Sequence, residues 1–256
     1  MTFGVCAPAA ETARAKAAGC DYIELGFSSV ADWSEAEFDA AVQALTEGGL
    51  RAEAMNCFIP GRFPLLGNYD RAELNAFLCQ GFRRAQAMGT QVVVFGSSGA
   101  RRRPAELSKE EARTGLVPFL RLAGKMAASY GVRIAIEPLC YDECNAVNAL
   151  REGLLLAEAA DSSSVGVLAD MYHMGENGED FGDILLAKDR LWHCHIGRPG
   201  GRTYPLPGDG YDYAPFFTAL REIGYAGRLS VEASPVHGPE DLAATLSYIR
   251  ELQDTQ

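Results

Sequence analysis

Along the chain, short runs dense in apolar residues alternate with longer stretches in which apolar residues return every third or fourth position. The runs are FGVC (Phe3–Cys6), DYIEL (Asp21–Leu25), LRAEAMNCF (Leu50–Phe58), TQVVVF (Thr90–Phe95), VRIAIE (Val132–Glu137), VGVLAD (Val165–Asp170), LWHCHI (Leu191–Ile196) and GRLSVE (Gly227–Glu232), and they predict eight β-strands. Several follow a glycine: Gly19, Gly48 with Gly49, Gly89 and Gly131. Glycine suits the left-handed position at which a chain leaves a helix. The intervening stretches carry helix signals. Ser34 with Glu37, and Ser108 with Glu111, have capping-box spacing. Asp212 can cap a helix whose apolar residues Tyr213, Phe216, Phe217 and Leu220 share one face, with Pro215 in the first turn and Gly224 at the end. Pro118, inside the segment from Ser108 to Tyr130, predicts a kink or break.

Strands that alternate with helices pair in parallel through helical crossovers. Eight such units favour closure into a barrel over an open doubly wound sheet, and 256 residues is about the length one such barrel needs. After the first strand, CAPAAETARA (Cys6–Ala15) contains no glycine, which disfavours the phosphate-binding turn of a dinucleotide fold. No Pro/Ser linker or shift in composition divides the chain. The expected fold is therefore α/β, a single (β/α)8 TIM barrel, as one domain over residues 1–256.

Charge and cysteine usage narrow the setting. The chain has 34 acidic against 23 basic residues, a formal net charge of −11, so polyanions are repelled. Nucleic acid and anionic membrane surfaces are poor partners for such a surface. No apolar run approaches the ~18 residues of a membrane span. The first ten residues lack a basic start followed by an apolar run, and the seven cysteines are an odd number. Reduced thiols in a cytoplasmic protein are the expectation. Cys140 and Cys144 lie four apart, with no second Cys/His pair at zinc-site spacing.

In a barrel of this kind the chemistry sits at the C-terminal ends of the strands. Strand five ends in Glu137, strand six in Asp170 and strand eight in Glu232, while strand seven carries His195. Glu143 follows Glu137 by six residues, and His173 follows Asp170 by three. Closure brings strands five to eight side by side. Three carboxylates and an imidazole converging there repel one another without a cation. Oxygen-rich ligation with one nitrogen suits Mn²⁺, Mg²⁺ or Co²⁺ better than the thiolate sites zinc often prefers, so Mn²⁺ is the expected ion and Zn²⁺ is less suited.

The motifs IEPLC (Ile136–Cys140), LADMYHM (Leu168–Met174), HCHIG (His193–Gly197) and SVEAS (Ser230–Ser234) resemble, in order and spacing, those of the sugar phosphate isomerase/epimerase superfamily. These are the xylose isomerase-like barrels, which also include endonuclease IV-type repair enzymes. The N-terminal half matches mainly in its strand–helix rhythm. Within the superfamily the chain most resembles the ketose 3-epimerases. The resemblance implies that Glu137 and Glu232 bind the metal and act as acid and base, with Asp170 and His195 as the other ligands. It further implies that Glu143 and His173 contact the terminal hydroxyl of the sugar. An arginine shortly after the histidine ligand completes the family pattern. Arg202 is the nearest match, one residue off the expected spacing, and Arg198 competes with it.

The implied reaction is metal-assisted removal of a proton beside the carbonyl of a ketose, through an enediolate, on a sugar or sugar phosphate. Return of the proton from the opposite face epimerises the carbon, whereas return by the same carboxylate to the neighbouring carbon isomerises aldose and ketose. A lyase or dehydratase acting on a keto-inositol or sugar acid would begin with the same step. A repair nuclease is the distant alternative: all four histidines lie at or after His173, so the first four strands offer none. Weaker expectations attach to four other features. Glu24 could line the site or be a rim charge. FGSSGARRRP (Phe95–Pro104), with Arg101, Arg102 and Arg103, could receive a phosphate or be a solvated or interfacial loop. MNCFIPGRFP (Met55–Pro64) could cover the sugar or pack against a second subunit, so a homo-oligomer stays open. His193 is expected to point away from the face used by His195, in a structural role.

Overall fold

A computed structural model describes residues 1–255. Eight parallel strands close into a barrel in sequence order, with β8 pairing back to β1. They are β1 (Thr2–Cys6), β2 (Tyr22–Gly26), β3 (Ala54–Asn56), β4 (Val92–Phe95), β5 (Arg133–Ile136), β6 (Val165–Asp170), β7 (Leu191–Ile196) and β8 (Arg228–Val231). Helices α1 (Thr12–Ala18), α2 (Phe27–Asp32), α3 (Glu35–Gly48), α4 (Arg71–Met88), α5 (Lys109–Ser129), α6 (Leu150–Ala160), α7 (Met171–Glu176), α8 (Ala214–Glu222) and α9 (Asp241–Asp254) connect or cover them.

Both capping boxes form. Ser34 Oγ and Ser108 Oγ accept from the backbone of Glu37 and Glu111, whose carboxylates accept in return. Asp212 Oδ1 accepts from Ala214 N at 3.1 Å, but the N-cap position of α8 falls to Tyr213, one residue later than expected. The segment does not break: α5 runs continuously through Pro118. The proline is exposed, so the carbonyl it cannot bond faces water and the loss is small. The third strand is shorter than the apolar run Leu50–Phe58 predicts. Gly49 turns left-handed and Leu50 N–H donates to Leu45 O at 3.2 Å, so Leu50 still closes α3. At the far end Cys57 takes a φ of 49° and ends the strand.

The core has two parts. The larger lies between strands and helices, and a smaller cluster of Tyr22, Ala54, Val92, Val94, Ala135 and Leu168 fills the barrel interior. Side chains alternate along a strand, so residues two apart share a face. Two positions beyond the interior cluster, on consecutive strands, come Glu24, Asn56, Gly96, Glu137 and Asp170. Tyr22 Oη lies 2.7 Å from Ser230 Oγ, which places Ser230 inside as well and Glu232 one layer above it. The interior is therefore apolar at its base and polar at its mouth.

Candidate active site

Single donor atoms of Glu137, Asp170, His195 and Glu232 all lie within 4.8 Å of one another at the mouth. His195 Nδ1 is 2.9 Å from Glu137 Oε1 and 3.2 Å from Glu232 Oε2. Both neighbours of that nitrogen are acceptors, so either a proton on Nδ1 or a cation among these atoms must hold the group together. Burial would lower the His195 pKa, but the charges of Glu24, Glu232 and Glu137 raise it well above the usual value. Asp170 Oδ1 accepts from Tyr172 N at 2.8 Å and caps α7. Its Oδ2 is buried and has no hydrogen-bond partner among the described residues. Burial, reinforced by the Glu137 and Glu232 charges, pushes the Asp170 pKa up to about 6, with His173 and His195 opposing. An orphaned carboxylate oxygen beside two more carboxylates and one imidazole nitrogen is a donor set that fits a hard divalent cation.

The remaining residues singled out from the sequence surround this cluster. Cys140 N–H donates to His173 Nδ1 at 3.1 Å, so the ring proton sits on Nε2. Nε2 is buried without a hydrogen-bond partner among the described residues, 3.6 Å from Asp170 Oδ2. Arg202, not Arg198, reaches the site. Its Nη2 donates to Glu232 Oε2 at 2.5 Å and its Nη1 to Glu143 Oε1 at 3.1 Å. Arg198 turns to Asp209 instead, donating to its carbonyl at 3.2 Å. The offset in spacing is absorbed by a tight hairpin. Arg198 N donates to Thr203 O at 2.8 Å, and Arg202 takes a left-handed φ of 48° that aims its side chain back over Tyr172.

A cavity of about 310 Å³ opens beside the cluster, lined among others by Asn56, Cys57, Ile59, Ser97, Glu143 and His173. The loop after β3 forms one wall. Phe58 and Phe63 anchor it by packing on Phe27 and Phe77 of the same chain. Among the described residues lining this cavity, Arg202 is the sole Lys or Arg.

The structure corrects three expectations. His193 and His195 are two apart, so strand alternation gives them the same inward face rather than opposite ones. Both bond Glu24, from His193 Nε2 at 2.8 Å and from His195 Nε2 at 3.1 Å. Glu24 is not a rim charge but fully buried beneath the site. The arginine run is not a solvated loop at Arg101, which is 0% exposed. Its Nη1 donates to Phe95 O at 2.9 Å and its Nη2 to Glu137 O at 2.5 Å, so it ties the ends of β4 and β5. Arg103 is likewise spent on Asn145 O and Leu107 O.

The sequence singles out the segments Met55–Pro64 and Phe95–Pro104, but not the two residues in them that serve the acids at the mouth, Asn56 and Gly96. Asn56 Nδ2 donates to Glu232 Oε1 at 2.7 Å, so both oxygens of Glu232 are held. Burial would raise the Glu232 pKa, but His195 and Arg202 outweigh it and bring it down to about 2. Gly96 makes room for Glu137: a Cβ there would lie deep inside contact distance of Glu137 Oε2. Neither residue carries charge; Asn56 sits on a strand far in sequence from Glu232, while Gly96 follows β4, the neighbour of the strand that leads into Glu137.

Residues 12–252 match the profile of the xylose isomerase-like TIM barrel family. The chain belongs to that family. An L-ribulose 3-epimerase of Methylomonas sp. (strain DH-1) is 34% identical over 153 residues, covering 58% of this chain and 52% of the relative. A ketose 3-epimerase of Arthrobacter globiformis is 33% identical over 129 residues, covering 49% of this chain and 44% of the relative. The match thus spans about half the length of these curated relatives. The crystal structure of a D-psicose 3-epimerase in the presence of D-fructose superposes with a TM-score of 0.85, at 20% identity, over 100% of both chains. That likeness is one of fold, and it covers the whole barrel, including the arc that carries the four-donor cluster.

Proposed function

We propose that this chain is a divalent-metal-dependent epimerase of an unphosphorylated ketose or related keto-sugar, acting by proton removal and return at the carbon beside the carbonyl. The observation that carries this reading is the pair Glu137 and Glu232. They stand on the outer strands of a four-strand arc, both touch His195 Nδ1, and both line the same cavity. Glu137, Asp170, His195 and Glu232 would hold the ion, and their oxygen-rich set favours Mn²⁺. When bound, the ion supplies polarisation of the carbonyl and stabilises the developing enediolate charge.

The chain's own residues divide the rest of the work. Asn56 and Arg202 hold Glu232 ionised and oriented, ready to take a proton from one face of the sugar. Glu137, fixed through its backbone by Arg101 and with space left by Gly96, returns a proton from the other face. His173 Nε2 and Glu143 border the cavity where the terminal hydroxyl of the sugar would lie, and Arg202 steadies Glu143. The loop from Cys57 to Pro60 shields that end from water. A cavity of about 310 Å³ suits one monosaccharide, and its single cation is already shared by two carboxylates, which supports a neutral sugar over a phosphorylated one. The activities named for the relatives support C3 of a ketose as the reacting carbon.

Incubation with Mn²⁺ and a panel of ketoses, keto-inositols and sugar phosphates tests the reading, with aliquots treated with chelator and then reloaded. The expected result is C3 epimerisation of an unphosphorylated ketose that stops on chelation and returns with Mn²⁺. Loss of water from a keto-inositol, or turnover of sugar phosphates alone, would contradict it.

A further inference from the structure

Below the four-donor cluster lies a polar layer that the proposed reaction never touches. Its centre is Glu24, 1% exposed and carried inward by β2. Both of its oxygens are engaged. Oε1 faces His195 Nε2 at 3.1 Å, while Oε2 faces His193 Nε2 at 2.8 Å and accepts from Ser230 Oγ at 2.5 Å. Ser230 Oγ is in turn 2.7 Å from Tyr22 Oη. The ring of Tyr22 lies against Gly4, where an added Cβ would meet it at 2.5 Å, so that glycine is what lets the tyrosine reach inward.

We propose that Glu24 is a positioning residue whose carboxylate holds His195 in the tautomer and ring orientation that present the Nδ1 lone pair to the metal centre. The inference rests on reading Glu137, Asp170, His195 and Glu232 as that centre. The geometry leads there in three steps. With a cation among the four donors in place of a proton on Nδ1, the imidazole is neutral and carries one proton; a carboxylate facing Nε2 can only accept, so that proton resides on Nε2 and the Nδ1 lone pair is left for the ion. A ring anchored at one nitrogen by a fixed partner cannot swing about χ2, so Nδ1 stays aimed at Glu137 and Glu232. The partner is itself fixed, because Ser230 and His193 occupy the other oxygen and leave Glu24 no alternative rotamer with its bonds intact. An unpaired carboxylate at this depth would be costly, and three donors converging on one acid show that the layer is built around its charge. Among the described residues, His193 Nε2 bonds Glu24 rather than the four-donor cluster and its Nδ1 has no partner, so its part is to brace Glu24.

The test is a Mn²⁺ titration of the full chain followed by the electron paramagnetic resonance signal of free Mn²⁺. It is made well below the unfolding midpoint, which is measured separately on metal-free protein. Wild type and Glu24→Gln are compared, with Ser230→Ala as a milder change that removes one anchor of Glu24 and nothing at the centre. Replacing the acceptor by an amide lets the other tautomer form and blocks Nδ1. Glu24→Gln is expected to weaken Mn²⁺ binding ~10- to 100-fold, the range for losing the outer partner of a ligating histidine. Ser230→Ala should weaken it several-fold, and it carries the test should Glu24→Gln not fold. Side-chain ¹⁵N shifts of His195, taken with diamagnetic Mg²⁺ in place of Mn²⁺, are expected to show a protonated Nε2 and an unprotonated Nδ1 in wild type and a changed pattern in Glu24→Gln. Wild-type Mn²⁺ affinity in folded variants, even with a lowered unfolding midpoint, would overturn the inference and leave the metal centre standing. A wild-type chain that binds no ion at the four donors would overturn the metal centre itself, and this inference with it.

Discussion

The two halves of the barrel contribute to the mouth in different ways. In the arc from β5 to β8, every strand ends by offering a titratable group: Glu137, Asp170, His195 and Glu232. In the arc from β1 to β4, the inward residues at that level and just below it are Cys6, Glu24, Asn56 and Gly96. None of these four has a free charge facing the cavity. Glu24 is turned into a buried layer, Asn56 is bonded to Glu232, and Gly96 is a space. One arc carries the groups that would react, and the other holds them where reaction is feasible. A closed barrel allows this division because strands far apart in sequence face each other across its axis.

Breaking the reacting arc should have the largest effect. Glu137→Gln and Glu232→Gln each keep shape and one oxygen donor while removing an acid–base group. Each is expected to lower kcat by ~10²–10⁴ with metal still bound, as steady-state assays with metal analysis would show. An activity loss confined to one of them would mean that the two acids are not a pair.

Next in size is the space that the supporting arc leaves. Gly96→Ala places a methyl group against Glu137 Oε2, so the carboxylate must move. Displacement of about 1 Å is enough to cost ~10² in turnover, and kcat should fall by about that factor while the unfolding midpoint changes little. Near-normal kcat would show that Glu137 has room that the packing does not indicate. Asn56→Ala removes one of the two donors to Glu232. With Arg202 still in place, kcat is expected to drop only about tenfold, the low end for losing an outer hydrogen-bond partner.

The smallest effect lies away from the mouth and separates scaffold from site. Glu179 Oε1 accepts from Leu150 N at 2.8 Å at the start of α6. Burial, helped by Asp183 and Glu152, pushes its pKa up to about 7 from 4.5. Between those values the native chain binds the extra proton, so this group makes stability fall as pH rises from about 4.5 to 7. Glu179→Gln keeps an acceptor for Leu150 N and removes the titration. Thermal unfolding across that window should decline less steeply with pH in the variant, with activity unchanged.

The contrast between the arcs also explains what was legible in the sequence. The barrel could be read because eight apolar runs recur with helix caps between them, and each cap is a local signal. Glu137, Asp170 and Glu232 could be read as candidates because each ends such a run, and His195 because it stands one residue short of the end of its own. Strand limits were less legible where packing overrode the run, as at Leu50, which still closes α3, and at Cys57, whose left-handed turn ends β3. The supporting arc gave no such cue. A glutamate on β2 looks the same whether it meets water or two imidazoles; Asn56 acquires meaning only across the closed barrel, and Gly96 only beside the neighbouring strand β5. The arginine run misled for a related reason: three consecutive charges read as a solvated loop, yet Arg101 is drawn inside by the carbonyls of Phe95 and Glu137.

The central claim is proton exchange between two opposed carboxylates at one carbon of a ketose. Its most direct test is turnover of an unlabelled ketose by Mn²⁺-loaded wild-type protein in deuterated water, with the position of label read by NMR after a small fraction of conversion. The account predicts one solvent deuterium in the C3 epimer, at C3 itself, while unconverted substrate remains largely unlabelled. Epimer formed without deuterium, or label appearing only on the carbon adjacent to an aldehyde in an aldose product, would contradict it.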